Sequence, residues 1–88
     1  MIHELKTWPQ FFEAIIDGRK TFELRVNDSG FNAGDQLLLR EYDPKVVAEC
    51  FRYTQRKILV DVTYVLPVDA TRVVMAIRKV EKAGSDGE

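Results

Sequence analysis

Cysteine and histidine each occur once in these 88 residues, as Cys50 and His3. A single cysteine cannot close an intrachain disulfide and nothing points to an oxidising compartment, so the expected location is a reducing cytoplasm. A structural zinc needs about four Cys, His or carboxylate ligands in close groups; no metal and no cofactor is expected. A Ser-His-Asp or Cys-His set would have to use His3 with Ser29, Ser85 or Cys50, none of which stands in a strained elbow or at a helix start. Charge bias is missing too. With 13 basic against 14 acidic side chains the formal charge is −1, so no broad positive field advertises non-specific nucleic-acid binding. Long apolar runs are also absent: no stretch approaches the roughly 18 apolar residues that cross a bilayer, and Met1-Ile2-His3-Glu4-Leu5-Lys6 has no apolar leader run. No membrane partner is expected.

What is present is an ordinary globular composition, 45% hydrophobic and 31% charged. The length suits one domain over 1–82, with 83–88 expected to be a flexible C-terminal tail because Ala83-Gly84-Ser85-Asp86-Gly87-Glu88 has no apolar anchor.

Residues 2 to 7 alternate in polarity and predict a short strand. Thr7 is then expected to cap a helix over about Trp8 to Asp17, with Pro9 early, where its missing N–H costs nothing, and Gly18 as the left-handed stop. Trp8, Phe11, Phe12, Ile15 and Ile16 form one stripe at helical spacing, read as core rather than as a cofactor box. From Lys20 to Val26 the period becomes two, with Phe22, Leu24 and Val26 on one face and Thr21, Glu23 and Arg25 on the other. Turn-rich residues 27–35 enclose Phe31, expected to pin the loop to the core, and lead to a strand over Gln36 to Tyr42. The conformation of residues 44–51 stays open. Residues 52 to 66 hold a further alternating run, Ile58, Val60, Val62, Tyr64 and Leu66, expected to pair with Arg72 to Val80 through a turn near Pro67 to Ala70. One early helix and consecutive strands on short turns predict an α+β fold built on a mostly antiparallel sheet or partly closed barrel.

Gly18-Arg19-Lys20-Thr21 resembles the end of a phosphate loop, but position 13 is Glu where the first glycine belongs, and a strand follows instead of a helix. Nucleoside triphosphate hydrolysis is therefore excluded. The dense mixed charge of Lys20, Glu23 and Arg25, with Arg19 before and Asp28 after, remains as the candidate site. Two readings of it stay open: a solvated strand face worth little, or a site in which a lysine beside a carboxylate relays protons and an arginine holds an anion. Lys6 and Trp8 are candidates to join it, Trp8 as a stacking plane.

His3-Glu4-Leu5-Lys6, Gly18-Arg19-Lys20-Thr21-Phe22-Glu23-Leu24-Arg25, Asn27-Asp28, Gly34-Asp35 and Arg40-Glu41-Tyr42-Asp43 together resemble the ASCH domains of the PUA-like superfamily, closest to their small bacterial and phage branch. The resemblance covers about residues 2 to 79. It implies a compact PUA-like barrel with a helix after the first strand, and a cleft facing RNA or a nucleotide-like ligand. Lys6, Trp8, Arg19, Lys20, Glu23, Arg25 and Asp28 are the candidate ligand-binding residues. One ASCH branch hydrolyses acetylcytidine with a lysine, a threonine three residues later and a distant glutamate. Lys20 matches that lysine, but Glu23 stands at the threonine position, and a carboxylate attacking there would form a mixed anhydride. The leading expectation is thus an RNA- or nucleotide-binding module. The alternative is a small amidohydrolase on an acylated nucleoside, with Lys20 as base and Glu23 activating water. A second basic stretch, Arg52, Arg56 and Lys57 around Tyr53, is read chiefly as a solvated strand edge.

Overall fold

A proline at a helix start gives up no hydrogen bond, and the helix opens on Pro9: in this computed structural model, which describes residues 1–80, α1 spans Pro9–Ile16. Its cap is Trp8 and not Thr7. The residue before a proline is pushed out of the helical region, so Trp8 takes extended angles (φ −66°, ψ 152°), caps without a side-chain bond, and leaves Thr7 as the last residue of β1, Ile2–Thr7. Gly18, at φ +85°, turns the chain back, and Lys20 N donates to Ala14 O at 2.9 Å.

Four more strands follow: β2 Phe22–Val26, β3 Gln36–Tyr42, β4 Tyr53–Pro67 and β5 Arg72–Lys79. They form one sheet in the order β1-β3-β4-β5-β2, antiparallel except for the parallel β1–β3 pair. The sheet curls into a half-barrel. Its two edge strands meet across the opening, where Arg25 Nη2 of β2 donates to Lys6 O of β1 at 2.7 Å. The segment left open at 44–51 carries a short 3-10 turn, Glu49–Phe51. The expected tail at 83–88 lies outside the described residues.

The concave face holds the core: Leu37 and Leu39 of β3, Val60 and Val62 of β4, and Val73, Met75 and Ile77 of β5, with Ile15 from α1 and Phe31 from the loop packed on them. Phe31 is held as expected, its N–H donating to Asn27 Oδ1 at 3.0 Å. Only part of the helical stripe is core. Phe12 and Ile15 are buried, whereas Trp8, Phe11 and Ile16 are a third to a half exposed, because an eight-residue helix presents a narrow side to the barrel. Arg56 fixes that side: it bonds Glu13 of α1, donates to Glu41 Oε1 of β3 at 3.0 Å, and lies 4.8 Å over the Phe12 ring.

A bulge changes the expectation for β4. The register shifts between Val62 and Tyr64, so Tyr64 and Leu66 leave the face of Val60 and Val62 and point outward, while Val65 packs on the core. A second irregularity, with Gln55 at φ +78°, lets Thr54 and Arg56 both reach Glu41.

His3, buried in β1, donates from Nε2 to Asp35 Oδ2 at 2.8 Å, since a carboxylate can only accept. That bond, with the Asn32 N–H, holds the Asp35 carboxyl below its ordinary 3.8. A depressed folded value makes this contribution fully present above 3.8 and lost as the pH falls through the lower folded value. An NMR titration is expected to place the Asp35 midpoint below 3.8, and Asp35→Asn to flatten the acid limb of the stability curve.

Candidate functional site

Antiparallel register forces directly paired residues onto one face. Glu23 pairs with Met75 and Arg25 with Val73, both core residues, so the charged side of β2 faces inward and its apolar side outward. Glu23 is 5% exposed; Phe22, Leu24 and Val26 are about half exposed. The solvated-face reading of Glu23 is thereby overturned, because the parity that puts Phe22 and Leu24 outside leaves Glu23 nowhere but the mouth of the half-barrel.

Both Glu23 oxygens are taken. Lys20 Nζ donates to Oε1 at 2.8 Å and to Phe22 O at 2.6 Å, and Arg25 Nε donates to Oε2 at 2.6 Å. With Arg25 Nη2 on Lys6 O, a chain of charge-assisted bonds runs from the end of α1 through β2 to β1. Lys20 precedes the strand proper and is thus free to bend toward Glu23 although it shares parity with Phe22.

Beside this chain lies an open cavity of about 210 Å³ lined by Lys6, Thr7, Trp8, Phe11 and Arg25. Thr7 is 3% exposed, and its hydroxyl has no hydrogen-bond partner. The Trp8 and Phe11 rings stack, with centroids 6.4 Å apart and planes at 15°. Phe11 also lines a larger apolar groove of about 520 Å³ with Ala14, Arg19, Lys20, Phe22 and Leu24. Lys20 Nζ stands 4.9 Å from the Phe22 ring centre there.

Lys20, Glu23, Arg25 and Trp8 therefore converge. Arg19 reaches the groove but is tied to Asp17 through Nε at 2.9 Å, an interaction that holds the Asp17 carboxyl below its ordinary value. Lys6 contributes its carbonyl to the mouth, while its ammonium lies over the Tyr42 ring at 4.6 Å on the outer face. Asp28 is not drawn in; it accepts from Ser29 Oγ at 3.1 Å in the loop after β2. Sequence reasoning missed Thr7 and Phe11 as site residues. Thr7 looked like a cap, and only the Trp8-Pro9 junction, which makes Trp8 the cap, signals otherwise. Among the described residues no group of three His, Cys, Asp or Glu side chains could hold a metal ion, and no helix is long and apolar enough to cross a membrane.

A protein-family model described as a domain of unknown function, DUF3850, matches residues 2–77. The chain belongs to this family. The DUF3850 match takes in every strand but the end of β5, and all of the mouth. An uncharacterised 12.9 kDa protein in the GpA 3′ region of Escherichia phage P2 is 37% identical over 41 residues. Those residues are 47% of this chain and 38% of the phage protein, so the match spans well under half the length of that relative.

Proposed function

We propose that this chain is a PUA-like module of ASCH type that binds RNA or a nucleotide-like ligand in the mouth of the half-barrel. The observation that carries the reading is the buried, unpartnered Thr7 hydroxyl in one cavity with Arg25 and the exposed Trp8 ring. A buried hydroxyl without a partner costs stability, and a ligand oxygen or amino group supplies the missing bond. Trp8 and Phe11 offer planes on which a base stacks, and the apolar groove beyond Phe11 receives its ring. Arg25 and Lys20 direct their remaining N–H groups to phosphate or to polar base edges. Glu23 acts as the organiser that fixes both cations, and its own oxygens are spent on them.

An amidohydrolase on the same residues is less well supported. Glu23 engaged at both oxygens is a poor acceptor for a proton from water.

Nucleoside monophosphates titrated into the protein are expected to shift the Trp8 indole resonance. Trp8→Ala should weaken binding roughly tenfold, the worth of one stacked base, without loss of fold, because Trp8 is 48% exposed. Thr7→Val should stabilise the protein by about 1 kcal/mol while weakening the ligand, since it removes the unpaired hydroxyl but keeps the shape. Thr7→Val that leaves affinity unchanged, together with a silent indole, would end this reading.

A further inference from the structure

The outer face of β1, β3 and β4 carries a second feature. Lys6 pairs with Arg40, and Arg40 with Lys57, so three cations stand side by side across three strands on the convex side of the sheet. The next row is aromatic, Tyr42 paired with Tyr53, their ring centroids 5.0 Å apart. Like charges directly opposite one another destabilise a sheet, and among the described residues one carboxylate pairs with the row, Glu4, at 3.6 Å from Arg40. Lys6 and Lys57 are exposed, and Lys57 has no ion-pair partner among the described residues. Two of the cations are nonetheless held in place. Lys6 Nζ sits 4.6 Å over Tyr42 and the Arg40 guanidinium 4.1 Å over Tyr53. A cavity of about 280 Å³ lined by Arg40, Tyr53 and Lys57 lies beside them.

From this geometry we infer that the Lys6–Arg40–Lys57 row, with Tyr42 and Tyr53, binds the phosphodiester backbone of a nucleic acid strand. A pre-positioned line of cations interleaved with aromatics is the chemistry that tracks such a backbone. Lys6 joins the two sites: its carbonyl closes the mouth through Arg25, and its ammonium begins the row. A strand with one nucleotide in the mouth passes over β1 onto the row. The inference rests on the nucleotide reading and extends it: the row implies a chain and not a free nucleotide as the partner.

The test is fluorescence anisotropy with a labelled short oligouridylate across a salt series, with the matching deoxyoligonucleotide and a duplex as further arms. Each phosphate contact contributes about 0.7 to the log–log salt slope of a single strand. Lys57→Ala and Arg40→Gln are each expected to lower the slope by about that amount and the affinity about fivefold near 0.1 M salt. Lys57→Gln serves as the second variant at this exposed position. Uridine monophosphate, followed at the Trp8 indole, tests the mouth separately. An oligonucleotide response that depends on Lys57 without any monophosphate binding upholds the row and sinks the mouth. Monophosphate binding with oligonucleotide affinity and slope unchanged in folded Lys57→Ala and Arg40→Gln overturns the row. Salt-dependent binding to anionic vesicles with none to any oligonucleotide overturns it as well.

Discussion

Glu23→Ala is expected to cost about 3 to 5 kcal/mol, the usual consequence of removing one partner from a buried ion cluster. Lys20 and Arg25, with side chains 17% and 26% exposed, would be left as partly buried cations without their shared acceptor. In a domain of this size that corresponds to a fall in Tm on the order of 15 °C or more. Leu24→Ala, one residue along the same strand, should cost less than about 1 kcal/mol, because Leu24 is 46% exposed. The contrast inverts the usual order, in which the leucine of a strand matters more than the glutamate. Thermal and urea unfolding of the two variants side by side decides it. The triple change Lys20→Met, Glu23→Leu, Arg25→Met should recover most of the loss, since replacing a whole buried ion cluster by apolar groups is often neutral. Equal melting of Glu23→Ala and the native protein would mean that the cluster is merely solvated.

Phe12→Ala carries the second large effect. Phe12 is 1% exposed and lies beneath the Arg56 guanidinium, beside Ile15, the α1 residue that joins the core cluster. Loss of a buried phenylalanine costs about 3 to 5 kcal/mol, and a helix of eight residues has no stability of its own to offset it. The helix should loosen first, seen as faster amide exchange over residues 9–16. Trp8 and Phe11 leave the mouth with it, so the proposed nucleotide binding is expected to fail in this variant even where the sheet remains folded. Phe11→Ala, at a half-exposed position, should spare the fold and weaken only the proposed ligand.

The comparison of β2 with β3 shows how far the chain can be read alone. In β3, expected only as a strand, Leu37 and Leu39 enter the core while Leu38 and Arg40 take the other face. In β2 alternation picks out Phe22, Leu24 and Val26, and the structure sends them outward. Alternation tells which residues share a face; it does not tell which face is inside. That is fixed by pairing with β5, whose Val73 and Met75 are core and lie opposite Arg25 and Glu23. The break in β4 was hidden for a similar reason: Ile58, Val60, Val62, Tyr64 and Leu66 keep one parity in the sequence, and the bulge after Val62 appears only against the register of β5.

Local chemistry by itself determined the helix near Pro9, the strands, the Phe31 anchor and the crowding of Lys20, Glu23 and Arg25, because each depends on periods, turns and charges a few residues apart. The tertiary structure decided that β1 runs parallel beside β3, that Arg25 bridges to Lys6 across the opening, and that Thr7 is buried without a partner. It also decided that Lys6, Arg40 and Lys57 stand in one row. These relations join residues far apart in the chain, and their energies arise only once strand pairing has set which side chains are neighbours and which are shielded from water.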